Sequence, residues 1–172
     1  HVITAGYGKT CISPPVGSPL AGFAARQGVS QGIHDDLFAR ALVLANGENV
    51  IALVSVDLLA LSGDFIKRVR EGIKRSTGIE PSSVMIASTH THAGPVTITT
   101  FFNPEESVDA AYMDSLAEAV EQSVTNAWRA RFPAKVGVGV AKVNGVGVNR
   151  RSPDQRPVDE QVGIIKVDAF HA

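Results

Sequence analysis

Residues 50–56, "VIALVSV", are almost continuously apolar, and that run constrains the fold of this chain more than any other feature. A strand with one wet face alternates apolar and polar residues. A strand without alternation belongs to a sheet covered on both faces, the usual condition of parallel strands. After the run, Phe65, Ile66, Val69 and Ile73 recur at helical spacing within Asp64 to Arg75, while Lys67, Arg68, Arg70, Glu71, Lys74 and Arg75 fill the other positions. That pattern predicts an amphipathic helix, with Gly78 as its stop signal. "SVMIAST" then supplies a second short apolar strand. Strand, helix and strand in succession make a βαβ unit, whose strands lie parallel with a right-handed crossover.

The rest of the chain adds to this nucleus. "HVITAGYGKTCI" is rich in β-branched and aromatic residues, and "SPPVGSPLAGFAARQGVSQG" has the Pro and Gly content of a long irregular connection. Connections of that length in compact domains usually serve a site. "DLFARALVL" reads as a strand joined to the apolar run through Asn46-Gly47, a favourable hairpin pair. A second helix is expected from about Val108 to Ala130, where Tyr112, Leu116, Ala119, Val120, Val124 and Ala127 share a face. "AKVGVGVAKV" from Ala134 and "QVGIIKVDAF" give two more strands. No internal repeat, low-complexity linker or composition shift divides residues 1–172. The expected class is α/β, a mixed sheet with at least one parallel βαβ unit and an antiparallel hairpin, and helices packed on it.

Composition narrows the function. Hydrophobic residues are 44% and charged residues 19%, an ordinary globular balance. Lys plus Arg is 16 against Asp plus Glu 17, with no basic stripe to form a nucleic-acid footprint. No apolar run approaches the ~18 residues of a membrane-spanning helix, and no charged-then-apolar leader is visible. A start at His1 is expected of a processed chain or an excised segment. Cys11 is the single cysteine, which excludes an internal disulfide or a cysteine zinc cluster and suits a small residue in a strand.

The two strands of a βαβ unit deliver their C-terminal ends to one edge of the sheet, where ligands bind. Asp57 closes the first strand and "THTHAGP" follows the second, so Asp57, His90 and His92 are expected near one another. If the chain stays extended through Thr91, both imidazoles point to the same side. Neutral imidazole is a good zinc ligand, and a carboxylate such as Asp57 commonly fixes its second ring nitrogen. Alternatively, one histidine binds metal while the other handles protons or substrate oxygen. Gly94-Pro95 is expected to turn the chain away, with Gly94 letting the backbone come close to whatever is bound.

Other stretches are weaker candidates. "HDD", His34 to Asp36, is more often a polar turn than a ligand group, and Arg150 and Arg151 sit in what looks like a solvated basic turn. Gly22, Phe23 and Arg26 either wall a pocket or pack. His171 lies at a chain end, where a role is improbable. Gly-x-Ser-x-Gly, His-Glu-x-x-His, phosphate-loop and Gly-x-Gly-x-x-Gly motifs are all missing.

In order, "SPPVGSPLAGF", "GIHDDLFARALVL", "VSVDLL", "ASTHTHAGP", "NRR" and "VDEQVGIIKV" closely resemble the N-terminal part of the neutral/alkaline non-lysosomal ceramidase family, from about Thr10 to Val167. The resemblance implies a zinc-dependent amidase that splits the N-acyl bond of ceramide into a sphingoid base and a fatty acid. It further implies that His90 is a zinc ligand, that His92 contacts the substrate or the reacting oxygen, and that Arg150, with a one-residue ambiguity to Arg151, is the active-site arginine. Asp57 fits the pattern, and its role as an orienter of the histidines is inferred. "AGFAARQ" and "TITTFFNP" are expected to line an apolar cleft reached from a membrane surface.

The resemblance also implies what is missing. The family's other zinc ligands, a histidine, a glutamate and a tyrosine, come from later in a longer catalytic domain, followed by a sandwich-type domain. Residues 1–172 are therefore expected to be an N-terminal segment of the catalytic domain holding part of the site, completed by a second chain or a further C-terminal region. The alternatives are a related hydrolase of another amide or ester, or a non-catalytic subunit or fragment that keeps the fold. Secretion or a periplasmic location is expected from the family.

Overall fold

The computed structural model describes residues 2–100, 108–152, 154 and 156–170. These form two compact units, His1–Phe132 and Pro133–Ala172. Strands β1 (Thr4–Cys11), β2 (Phe38–Asn46), β3 (Asn49–Val56) and β4 (Val84–Ser88) belong to the first unit, with helices α1 (Gly63–Thr77) and α2 (Ala110–Arg129). Their order in the sheet is β4-β3-β2-β1. β1 to β3 run antiparallel, and β3 pairs with β4 in parallel, Ala52 opposite Val84 and Val56 opposite Ser88. The mixed α/β sheet read from the sequence is present, βαβ unit included. The hairpin register sets Asn46 opposite Asn49, so the two-residue turn is Gly47-Glu48, one position later than the Asn46-Gly47 pair expected. Gly47, at φ 63°, occupies the first turn position, where a two-residue hairpin of type II′ carries Gly.

One face of this sheet is the core. Ala39, Ala41, Val43 and Ala45 of β2 and Ala52, Val54 and Val56 of β3 are all buried beneath the helices. From α1 they meet Phe65, Val69 and Ile73, and from α2 Tyr112, Leu116, Val120, Val124 and Ala127, nearly the set given by helical spacing. Small residues let α2 sit close: a Cβ at Gly8 would stand 1.9 Å from the Ser123 carbonyl oxygen, and one at Gly6 1.9 Å from that of Ala127. The Tyr112 hydroxyl donates to the Ile12 carbonyl at 2.7 Å, and burial pushes its phenol pKa up.

The helix ends follow capping chemistry. The Ser62 hydroxyl accepts from the Phe65 N–H at 3.2 Å, and Gly78, left-handed at φ 77°, returns its N–H to Lys74. Asp109 accepts from the N–H groups of Ala111 and Tyr112 at 2.9 and 3.1 Å. Where α1 meets α2, a Cβ at Gly72 would lie 1.9 Å from a Glu121 carboxylate oxygen. Burial raises the Glu121 pKa, while Arg75 and Arg68 act against that rise.

Among the described residues, the opposite face carries no helix of this unit. Tyr7, Leu42, Leu53 and Met85 stand in one register row across all four strands, with Tyr7 56% and Met85 55% exposed. Among the described residues of this unit, the cover expected for residues 50–56 is thus found on one side and not on the other.

The second unit is an antiparallel pair, β5 (Phe132–Lys142) with β6 (Gln161–Ala169), Ala134 opposite Ala169. The connection between them is irregular and holds Asn149, Arg150 and Arg151. The Asn149 side chain braces it, donating to the Pro157 carbonyl and accepting from the Arg151 N–H.

Two predictions test this packing. Gly8→Val must push α2 off β1 and is expected to cost about 3 kcal/mol, the upper end for overpacking, read as a lowered urea midpoint. Glu121→Gln tests the carboxyl between the helices. A raised folded pKa gives stability that is fully present when the group is protonated and is lost as pH rises through the folded value. The neutral glutamine is therefore expected to raise the thermal midpoint at neutral pH, with the gain vanishing below roughly pH 4, where Glu121 is itself protonated.

Candidate functional site

Parallel pairing places the ends of β3 and β4 side by side, and backbone bonds carry the contact past both strands. Thr89 N–H donates to the Val56 carbonyl at 2.9 Å and His90 N–H to that of Leu58 at 3.0 Å. At His90 the backbone turns left-handed, φ 60°, the one such residue other than glycine among those described. The chain is therefore not extended through Thr91 as expected: β4 ends at Ser88. The two imidazoles meet through a turn and not through strand alternation. A left-handed non-glycine residue costs on the order of 1–3 kcal/mol and persists where surrounding bonds hold it, often at functional sites.

The exposed His90 ring is oriented by backbone. Its Nδ1 lies 2.9 Å from the Leu59 carbonyl oxygen. That oxygen has no proton to give, so Nδ1 carries the hydrogen, and in the neutral ring the lone pair is then on Nε2, the arrangement of a metal-binding or proton-accepting imidazole. The half-buried His92 ring stands edge-on to His90, with centroids 5.1 Å apart at 71°.

The long connection after β1 encloses His92 from the other side. Leu20 bridges to Pro95, Ala21 N–H donates to the Gly94 carbonyl, and Val96 N–H donates to that of Pro19. The Phe23 ring lies 5.0 Å from His92, edge-on, and the Arg26 guanidinium lies 4.8 Å from the Phe23 centroid. Arg26 also donates to the carbonyls of Ala21 and His92, at 2.9 and 2.8 Å. Gly22, at φ 107°, makes the approach possible, because a Cβ there would stand 2.4 Å from the His92 ring. A Cβ at Gly94, by contrast, would meet its neighbours in the protein no closer than 3.4 Å. Below the turn, the buried Thr97 hydroxyl donates to the Ala60 carbonyl at 2.6 Å.

Asp57 stands at the expected edge with a different task. Its Oδ2 accepts from the Phe38 N–H at 3.0 Å and from the Arg40 guanidinium at 2.6 Å, fastening β3 to β2. The orienting part expected of Asp57 falls to the Leu59 carbonyl. Near the loop, His34 pairs only with its neighbour Asp35, both largely exposed, and Asp36 accepts from the Ser13 hydroxyl. Arg150 and Arg151 are exposed residues of the second unit. Of "TITTFFNP", residues 101–104 lie outside the described residues, as does His171. Among the described residues, no group of three or more His, Cys, Asp or Glu side chains is gathered as a metal shell.

Sequence reasoning missed the Leu59 carbonyl and the left-handed turn, while Gly22, Phe23 and Arg26, named as residues that wall a pocket or pack, are packed around His92.

Residues 4–157 match the family model described as neutral/alkaline non-lysosomal ceramidase, N-terminal. The chain is 27% identical over 181 residues to a neutral ceramidase of Oryza sativa subsp. japonica, covering 94% of this chain and 23% of that protein. It is also 27% identical over 185 residues to neutral ceramidase 3 of Arabidopsis thaliana, covering 94% of this chain and 25% of that one. It thus spans about a quarter of the length of these relatives. The solved neutral ceramidase from Pseudomonas aeruginosa superposes with a TM-score of 0.86 at 21% identity, over 98% of this chain and 30% of that one. A ceramidase complexed with C2 gives 0.84 at 20% identity, over 96% of this chain and 29% of that one. The family model covers most of the chain and the fold agrees, so the chain belongs to the neutral/alkaline non-lysosomal ceramidase family, as its N-terminal segment.

Proposed function

We propose that this segment supplies part of the active site of a zinc-dependent amide hydrolase of ceramidase type, acting on the N-acyl bond of a lipid-like amide. The observation that carries the reading is the His90 ring, with Nδ1 committed to Leu59 and Nε2 left as a donor at the sheet edge where ligands bind. Membership in the family supports it. So does the chemistry of the site, since a neutral imidazole fixed through its second nitrogen is a good zinc ligand.

The residues divide the work. His90 would hold the metal through Nε2, and zinc bound there would supply an acidified water and a polarised carbonyl. His92, beside it, would pass a proton to the departing amine. Phe23 gives an apolar surface next to His92 for a lipid chain, and Arg26 keeps both in place. The remaining metal ligands come from further chain, in keeping with the segment's quarter share of its relatives' length. Catalysis belongs to that larger assembly.

Zinc per chain, measured by elemental mass spectrometry on the polypeptide translated from its native reading frame, tests the reading. Near-stoichiometric zinc and release of sphingoid base from N-acyl-sphingosine are expected. His90→Ala should weaken zinc binding by at least about a hundredfold, since even outer-shell changes cost ~10–100-fold. Native protein without zinc would overturn the proposal, and cleavage of short N-acyl amines alone would replace the substrate class.

Gly22→Ala is the complementary test, because it touches no proposed ligand yet drives a methyl group into the His92 ring. A fall in kcat of about a hundredfold is expected, the order seen for ångström-scale misplacement, with zinc content unchanged.

A further inference from the structure

A buried hydroxyl in a helix satisfies itself on a carbonyl one turn back, as Ser123 does on Val120 at 2.7 Å. Thr97 behaves differently. Only 3% exposed and in neither helix nor strand, it reaches the Ala60 carbonyl, 37 positions away in sequence, at 2.6 Å.

Ala60 lies in residues 57–62, the irregular connection between β3 and α1. Outside helix and strand, the carbonyls there are oriented by whatever bonds they find. Three successive ones are taken by the histidine turn. The Leu58 carbonyl accepts from the His90 N–H at 3.0 Å, that of Leu59 faces the His90 Nδ1 at 2.9 Å, and that of Ala60 accepts from Thr97. A peptide unit is planar, and only the two dihedrals at each Cα are soft. With the carbonyls before and after it pinned, and the Leu58 side chain fully buried, the Leu59 carbonyl has little freedom to swing. Thr97 is itself held from behind. Gly94 to Val96 are buried, and the Gly94 carbonyl and the Val96 N–H are bonded to Ala21 and Pro19.

We propose that Thr97 is a positioning residue for His90: its hydroxyl pins the Ala60 carbonyl, which fixes the adjoining Leu59 carbonyl where it keeps the His90 hydrogen on Nδ1 and the lone pair on Nε2. The consequence for zinc rests on the reading of His90 as a metal donor. Without the hydroxyl the Leu59 peptide turns, Nδ1 loses its acceptor, and the neutral ring takes either tautomer. A ring with its hydrogen on Nε2 offers no lone pair there.

Thr97→Val deletes the hydroxyl and keeps the branched shape, and Thr97→Ser keeps the hydroxyl. Both are made in the polypeptide from the native reading frame, with isotope-labelled histidine. Solid-state nitrogen NMR of the zinc-free protein at about pH 8.5, where an ordinary imidazole is neutral, reads the tautomer, and the His90 signals are assigned by their loss in His90→Ala. The unaltered protein and Thr97→Ser are expected to carry the hydrogen on Nδ1, and Thr97→Val to show both tautomers. Zinc affinity, read by competition with a chelator, should fall about tenfold in Thr97→Val, the low end of the ~10–100-fold for outer-shell changes, and return in Thr97→Ser. If Thr97→Val does not fold by circular dichroism, Thr97→Ala, which sets no methyl group against the Ala60 carbonyl, takes its place. A folded variant with a lowered thermal midpoint but an unchanged tautomer would overturn the proposal, since a merely structural threonine gives that result. So would hydrogen on Nε2 in the unaltered protein. Unaltered protein that binds no zinc would remove the metal reading and leave the tautomer to decide this one.

Discussion

The parallel pairing of β3 with β4 is the constraint on which the rest of this structure depends. Every other pairing in the first unit is antiparallel and could be closed by a local turn. A parallel pair cannot be closed locally, so α1 must cross over, and the crossover sends Asp57 and His90 to the same edge despite the helix between them in sequence. The site follows from topology before any side chain is considered. The Thr89 and His90 N–H groups then continue the pairing onto Val56 and Leu58, holding the His90 turn against the end of β3.

The helix layer depends on side chains too small to separate it from the sheet. Alanine at 39, 41, 45 and 52 and glycine at 6 and 8 bring α2 almost onto the backbone of β1 and β2. Larger apolar residues on the helices, Leu116, Val120, Val124, Phe65 and Ile73, fill the space left. The interior is closely packed on this side and open on the other.

The features legible in the sequence were those with a local signature. Helical spacing marked α1 and α2 because each buries one stripe, and residues 50–56 marked a strand because their apolar run is broken only at Ser55. The hairpin turn was displaced by one residue because Asn46-Gly47 and Gly47-Glu48 are both acceptable turns, and cross-strand register decides between them. The site's address was legible, but its bonds were not. A carbonyl such as that of Leu59 has no side-chain signature, and an aspartate after a strand serves a neighbouring N–H as readily as an imidazole. Arg26 reaches the His92 carbonyl across a sequence distance that no local pattern encodes.

The bare face and the incomplete site adjoin. Asp57 and Arg40 pair where the apolar band meets the C-terminal edge of the sheet, and a Cβ at Gly94 would lie 3.4 Å from the Asp57 carbonyl oxygen, so the histidine turn packs directly against that corner. The turn itself is held from within the first unit, by the carbonyls of Val56, Leu58 and Leu59, so its geometry does not wait on any cover for the band.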